Sequence, residues 1–109
     1  MSITTTVLFR NEPDAKYDID YYVKNHMPLV QSLWGKYGVT GWSVTRYTSG
    51  ADGSAPEFSF GSIVTWESKD QIAAAFARPE AGQIMGDRLN FSNKKPIFLF
   101  GETIRRGGK

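Results

Sequence analysis

The sequence contains no cysteine, which excludes disulfide bonds, thiolate metal sites and cysteine nucleophiles. It contains a single histidine, His26, so one chain has no histidine-rich metal cluster. No apolar stretch approaches the roughly 20 residues that a membrane-spanning helix needs. We therefore predict neither a metal site nor a membrane segment.

Motifs for nucleotides and nucleic acids are also missing. The chain has no G-x-G-x-x-G sequence and no P-loop, so a nucleotide cofactor has no visible site. The formal net charge is only +2, although the sequence pI is about 9.0. The one tight basic run is the glycine-containing segment 105–109, which is typical of a flexible tail and not of a nucleic-acid-binding stripe. We predict no nucleic-acid partner.

What is present indicates one small domain, comprising residues 1–109. A chain of 109 residues fits a single domain, and its 14% aromatic content supplies enough bulky apolar surface for a core. The first residues are rich in threonine and lack the charged start and apolar run of a signal peptide. By default, we expect a cytoplasmic protein.

Hydrophobic periodicity predicts six elements in the order β-α-β-β-α-β. Alternation of β-branched and other residues predicts strands at 3–9, 40–47, 58–66 and 97–104. Ser68 with Gln71 fits a capping box that starts the second helix, and Pro79 separates that helix from a weaker helical turn at 80–87. This order is typical of the α+β, ferredoxin-like fold, in which a four-stranded antiparallel sheet carries both helices on one face.

The first helix has a clear apolar face but contains a proline. Steps of three and four place apolar residues on one side, and Gly38 ends the helix. Pro28 cannot donate a hydrogen bond to the carbonyl of Lys24, so we predict a kink or a break at His26–Met27–Pro28. We also expect Met27, the residue before the proline, to leave helical angles. The predicted face comprises Ile19, Tyr22, Val23, His26, Val30, Leu33, Trp34 and Tyr37.

The sheet is predicted to be apolar on both faces. Residues 97–100 are all apolar without alternation, and residues 58–66 also place large apolar side chains on both sides. Helices cover one face only, so the open face needs a second cover. We predict that a second copy of the chain supplies it, which makes a homodimer in the form of an α/β barrel.

His26 is the one side chain whose unperturbed pKa lies near neutrality. It belongs to the apolar face of the first helix beside Pro28, where a cleft between helix and sheet is expected. There it would serve as a general acid or base, or it would be a half-buried histidine bonded to a nearby carbonyl or to a neighbouring chain. Spacing alone favours the structural role.

Two short segments resemble the signature of the EthD family. Residues 17–22 read YDIDYY and residues 26–30 read HMPLV. In that family, an aromatic and acidic stretch with paired tyrosines typically leads into His-Met-Pro-Leu, and the WGKYG end of the helix and the chain length also match. The resemblance covers roughly the whole chain, and the short motif carries most of its specificity.

The resemblance implies a dimeric α/β-barrel protein that binds small, often aromatic or acidic, molecules between helix and sheet. Relatives on this fold include cofactor-independent lactone isomerases, polyketide cyclases, dehydratases and decarboxylases. Some of those isomerases use a cysteine, which this chain lacks. Haem-binding relatives exist, but a lone histidine does not indicate haem, so no cofactor is predicted.

By this resemblance, His26 is the candidate acid/base residue, and three other residues are candidates for substrate binding. Tyr22 lies one turn earlier on the same helix face, where it either assists His26 or packs in the core. Trp66 either lines a pocket wall or packs. Arg46 either holds a substrate carboxylate or enolate or forms an exposed ion pair, and the ion pair is favoured.

Two functions follow from these observations. The first is a cofactor-independent enzyme of the isomerase, cyclase or lyase type, acting on a small aromatic, lactone or polyketide-like compound. The alternative is a non-catalytic ligand-binding or accessory protein of a catabolic pathway. A structural dimer module without a usable cavity is the third option.

Overall fold

A four-stranded antiparallel sheet carries three helices on one of its faces. The computed structural model describes residues 3–108. The strands are β1 (Ile3–Arg10), β2 (Val39–Arg46), β3 (Phe58–Trp66) and β4 (Ile97–Glu102), in the spatial order β2-β3-β1-β4. The helices are α1 (residues 19–37), α2 (Lys69–Phe76) and α3 (Pro79–Gly86), and a 3-10 turn, Asp87–Asn90, follows α3.

This architecture confirms the predicted α+β, ferredoxin-like fold. Every strand pair is antiparallel, and β1 lies between β3 and β4. The two predicted helical segments after Ser68 are α2 and α3, with Pro79 as the first residue of α3. Residues 103–108 form neither helix nor strand, and Lys109 of the predicted flexible tail lies outside the described residues.

The core lies between the helices and one face of the sheet. Alternation along β1 and β3 places every second side chain on this face, because successive strand residues point to opposite sides. Phe9 and Phe60 stack there with ring centroids 4.5 Å apart, and neither is more than 1% exposed. Burial of such aromatic side chains is the largest contribution to the stability of a domain this small.

The irregularity predicted near Pro28 takes the form of a π-helical turn within α1. The parts of α1 are Ile19–Tyr21 (α), Tyr22–His26 (π), Met27–Trp34 (α) and Gly35–Tyr37 (3-10). The amide of Met27 donates to the carbonyl of Tyr22, five residues earlier, as in a π-helical turn. The prediction for Met27 was wrong: its φ of −67° and ψ of −39° are helical. Val23 is 38% exposed and is not part of the buried face.

Gly38 ends α1 as predicted and also makes room for the start of α2. Its φ is 110°, in the left-handed region that favours glycine. A Cβ at this position would meet the side-chain amide of Gln71. That amide oxygen accepts a hydrogen bond of 3.0 Å from the Ser68 amide, which confirms this half of the predicted capping box. The absence of a side chain at Gly38 therefore lets the end of α1 pack against Gln71 at the start of α2.

We expect Gly38→Ala to lower the free energy of unfolding by about 1–3 kcal/mol, from backbone strain at positive φ and displacement of Gln71. Gly35→Ala is the matched control, because Gly35 has helical angles and open space where the Cβ would be. The control is expected to leave stability unchanged or slightly higher. Urea denaturation measures both, and equal stabilities for the two variants would contradict this account of Gly38.

The face of the sheet that carries no helix is partly apolar, with aliphatic side chains of β3 and β4 on either side of Thr6. Ile63 in β3 and Leu99 in β4 both flank Thr6 of β1, and they are 43% and 52% exposed. Leu8 and Ile97 are opposite one another on the same face, next to Gly61. No helix among residues 3–108 is both long enough and apolar enough to cross a membrane.

Candidate functional site

A cavity of about 390 Å³ lies between α1, the core face of the sheet and α3. His26, Val30 and Trp34 line it from α1, at steps of four residues along one helix face. Strands β1 and β3 form its floor, and residues from α3 onward close the other side. Most of its walls are aromatic or aliphatic, which is typical of sites for small organic molecules.

His26 reaches this cavity with one ring nitrogen engaged. Its side chain is buried, and Nδ1 lies 3.0 Å from Oδ2 of Asp87. The imidazole stacks on the ring of Tyr22 at 5.0 Å and lies 4.7 Å from the ring of Phe91. Nε2 has no hydrogen-bond partner among the described residues, and part of its surface is accessible. It is therefore the nitrogen available to a bound molecule.

Asp87 is held in place by three donors. Its Oδ1 accepts hydrogen bonds from Tyr21 Oη at 2.8 Å and from Asn90 Nδ2 at 2.9 Å, and Oδ2 accepts from His26. Burial raises the pKa of Asp87, but the hydrogen bonds from Asn90, His26 and Tyr21 together outweigh it, and the pKa lies below its ordinary value. Asp87 is thus a fixed carboxylate at neutral pH.

Burial sets the charge of His26. It lowers the pKa of His26 and outweighs the hydrogen bond and negative charge of Asp87, which raise it. His26 is therefore neutral at pH 7, with its proton on Nδ1, because Nδ1 faces a carboxylate that only accepts. This leaves the lone pair of Nε2 free, as a general base requires.

Two hydrogen-bonded pairs of side chains line the cavity. Tyr22 Oη and Ser62 Oγ are 2.6 Å apart, and burial raises the pKa of Tyr22 to about 12, so Tyr22 stays neutral. Trp66 Nε1 donates to Thr5 Oγ1 at 3.1 Å. These pairs give the apolar cavity a small number of polar atoms with fixed positions.

The structure brings three of the four predicted site residues together. His26, Tyr22 and Trp66 all line the cavity. Arg46 does not: it lies at the end of β2, in a shallow surface depression beside Asp18 and Asp20. The structure thus separates Arg46 from the other three, and the roles of all four residues stay predictions.

Several residues of the site were missed by sequence reasoning. Asp87, Ser62, Arg88 and Lys95 belong to segments that show no motif, and Asp87 is 61 residues from His26 in sequence. The one sequence signal that could have indicated them is the pair of charged residues, Asp87 and Arg88, that directly follows the apolar pattern of α3. Among residues 3–108, no three His, Asp or Glu side chains are grouped as metal ligands would be.

Comparison with known proteins gives one related sequence. No family model matches the chain. An uncharacterised 11.0 kDa protein encoded in the thcB-thcC intergenic region of Rhodococcus erythropolis is 28% identical over 99 residues. The alignment covers 87% of this chain and 88% of that protein, so the similarity extends over most of both.

Solved structures match the chain along nearly its whole length. An EthD-like protein from Ralstonia eutropha has a TM-score of 0.87 at 24% identity, with 97% of this chain and 95% of that chain covered. SnoaB, a cofactor-independent oxygenase from Streptomyces nogalater, has a TM-score of 0.69 at 11% identity and 96% and 95% coverage. A dimeric ferredoxin-like protein from Jannaschia has a TM-score of 0.66 at 12% identity and 94% and 100% coverage. The resemblance predicted from the sequence is thus confirmed at the level of structure: this chain has the fold of the EthD-like proteins.

Proposed function

We propose that this chain is an EthD family protein that binds a small organic molecule in the His26 cavity. We further propose that it catalyses cofactor-independent proton transfer of the isomerase, cyclase or lyase type. One observation carries the proposal: a neutral histidine, oriented by a fixed carboxylate, presents its free nitrogen at an apolar cavity. Perturbed titratable groups in a cleft are typical of functional sites.

The chemistry that fits this arrangement is removal of a proton from carbon next to a carbonyl group. Nε2 of His26 takes the proton, and the electron pair left on carbon moves onto the carbonyl oxygen as an enolate. Asp87 stays ionised and stabilises the imidazolium that forms. Return of the proton from the imidazolium to another carbon completes an isomerisation. Attack of the enolate carbon on a second carbonyl of the same molecule forms a C–C bond and an alkoxide, and transfer of the imidazolium proton to that alkoxide completes a cyclisation.

The enolate oxygen needs a donor, and the Tyr22–Ser62 pair provides one. Tyr22 remains protonated at neutral pH because burial raises its pKa to about 12. Its ring stacks on His26, so its hydroxyl belongs to the same end of the cavity. A fixed neutral donor at the position where negative charge develops stabilises the transition state more than the ground state.

The solved relatives support this proposal in a limited way. SnoaB shows that a protein with this fold carries out chemistry without a cofactor. The R. eutropha structure is described as EthD-like, in agreement with the motif at residues 17–30. The substrate and the reaction of this chain are argued from its own cavity.

A non-catalytic ligand-binding protein is the second candidate. The observation that favours it is the predominance of aromatic and aliphatic walls, which bind an apolar compound without help from His26. Loss of His26 distinguishes the two functions. A catalyst loses turnover and keeps affinity, whereas a binding protein loses affinity or nothing.

We also propose that two copies associate through the open face of the sheet. Ile63 and Leu99 are exposed on that face on either side of Thr6, and exposed aliphatic side chains grouped in this way are typical of a contact surface. The Jannaschia protein, which is described as dimeric, has the same fold. Packing of two such sheets face to face makes the predicted α/β barrel and leaves each His26 cavity on the helix side.

The first test of the site is an NMR titration of His26, which gives a single imidazole signal because the chain has no other histidine. We expect burial to hold its pKa below the ordinary value of a histidine, about 6.5, with the proton of the neutral form on Nδ1. Asp87→Asn removes the negative charge that raises this pKa while burial persists. The pKa of His26 is therefore expected to fall further in the variant.

Tyr21→Phe is the matched control. It removes a donor to Asp87 but makes no contact with His26, so the Asp87 carboxylate becomes more basic and the pKa of His26 does not fall. A wild-type pKa at or above 6.5 that Asp87→Asn leaves unchanged would refute the oriented-base arrangement, and with it the catalytic proposal.

A further inference from the structure

A second apolar space lies beside the His26 cavity, on the same face of the sheet. It is a groove between α2 and the edge strand β4. Ile3 of β1 and Phe100 of β4 line its sheet side. One face of α2, with residues at steps of three and four, lines its helix side: Lys69, Ile72, Ala73 and Phe76.

The groove continues the cavity along the strands. In β1, Thr5 lines the cavity and Ile3 lines the groove. In β4, Phe98 lines the cavity and Phe100 lines the groove. Strand residues two positions apart point to the same face and are about 7 Å apart. The cavity and the groove are therefore successive parts of one trough over the core face of the sheet.

Phe76 lies at the boundary between these two parts. Within residues 3–108 it is the one side chain that lines both spaces. Its ring centroid is 4.9 Å from that of Trp34, which lines the cavity, and 5.6 Å from that of Phe100, which lines the groove. Phe76 is the last residue of α2 and is half-buried against the core. Its ring thus separates the cavity from the groove.

This boundary is at the end of the cavity remote from His26. Trp34 follows His26 by eight positions in α1, which corresponds to about 12 Å along a helix. The sheet side has the same direction. Phe9 contacts Tyr22, the ring that stacks on His26, at one end, and Trp66 packs against Trp34 at the other. A ligand that reacts at Nε2 of His26 therefore approaches Phe76 with its far end.

Packing keeps the Phe76 ring in place. Aromatic rings at these separations attract one another beyond the effect of buried area, and Phe76 has such a neighbour on each side. An apolar chain longer than the cavity either displaces the ring or leaves its last methylene groups in water. Each methylene that is buried strengthens binding by about fourfold, so this gain ends where the chain reaches Phe76.

We propose that Phe76 sets the maximum length of ligand that the His26 cavity accepts. The ring closes the cavity at the end remote from His26. Its removal joins the cavity to the groove, and the site then accepts a longer apolar chain. The proposal rests on the ligand cavity of the proposed function and adds the residue that determines specificity for length.

Isothermal titration calorimetry with 4-alkylphenols, from 4-methylphenol to 4-octylphenol, tests this proposal. The phenol hydroxyl donates to Nε2 of His26, and the alkyl chain extends towards Phe76. The affinity of the wild type is expected to rise about fourfold per methylene and then to level off or fall within the series. In Phe76→Ala the rise continues for about two methylenes or more, because the groove extends the trough by about 7 Å of strand.

Phe58→Ala is the matched control. It removes the same atoms from a half-buried ring that lines neither space, so it reproduces a general loosening of the fold without opening the boundary. The control is expected to keep the length limit of the wild type. Phe76→Val, which keeps a shorter apolar side chain, is expected to extend the limit in the same direction and carries the test if the alanine variant does not fold.

Three results overturn the proposal and leave the ligand cavity intact. They are an affinity of the wild type that rises through the whole series, an equal limit in the wild type and the Phe76 variants, and an equal extension in Phe58→Ala. Binding of none of the alkylphenols by the wild type overturns the cavity itself, and the proposed function with it.

Discussion

His26→Gln is expected to reduce proton abstraction from an enolisable aromatic ketone by about 10²–10⁴-fold, the usual contribution of a general base. Phenylpyruvate is a suitable probe, because it has an aromatic ring, a carboxylate and an acidic C–H group beside a carbonyl. Deuterium uptake at that carbon, followed by NMR, measures the step directly. Glutamine keeps a polar side chain at position 26 but has no basic nitrogen.

The pH dependence gives a second readout of the same step. Because burial lowers the pKa of His26, the neutral form persists below pH 6.5, and the rate is expected to fall only as pH drops through that lowered pKa. Asp87→Asn shifts this fall to lower pH and also lowers the maximum rate, since the favoured tautomer is lost. Asp20→Asn, an exposed carboxylate at the start of α1, is the control and is expected to change neither.

Two outcomes of this experiment decide between the proposed functions. Retention of the wild-type rate by His26→Gln contradicts its role as the base. A wild-type rate equal to that of buffer, with tight binding of the probe, supports the non-catalytic ligand-binding protein instead.

Leu99→Asp is expected to convert the proposed dimer into a monomer. Leu99 is 52% exposed on the open face, in the edge strand β4, where a second copy would exclude water from the new charge. An unpaired charge buried in this way costs several kcal/mol, which weakens the dimer by at least about 100-fold. Sedimentation equilibrium at micromolar concentration measures the change in mass.

Leu89→Asp provides a matched control for the interface. Leu89 is 77% exposed but lies in the 3-10 turn after α3, away from the open face of the sheet. The same substitution there is expected to leave the dimer intact. A monomeric wild-type chain, or dissociation in both variants, would contradict an interface through the open face.

Local features of the chain could be predicted because their causes lie within a few residues. Alternation in β2 places Trp42, Val44 and Arg46 on one face, and the register with β3 confirms this. Gly38 ends α1 with a left-handed backbone angle, which glycine adopts easily because it has no Cβ. This preference depends only on the residue itself, so the sequence is enough to predict it. Steric and hydrogen-bond preferences of this kind act at short range.

The response of α1 to Pro28 shows where local reasoning fails. A proline indicates that one hydrogen bond is lost, but it does not say how the helix accommodates the loss. The π turn at Tyr22–His26 keeps Met27 helical and keeps Tyr22 and His26 buried against the sheet. Packing over the strands, which the local pattern does not contain, stabilises this solution.

The sequence by itself determined the order of the elements, the apolar faces and the placement of His26 on a buried helix face. Only the tertiary structure decided which groups surround that histidine. Asp87, 61 residues away, fixes the proton on Nδ1, and Arg46 lies outside the cavity that Arg88 and Lys95 line. Periodicity indicates which side of a helix or strand is buried. The hydrogen-bond partner of a side chain depends on how elements far apart in sequence pack together, and a local sequence pattern does not contain this information.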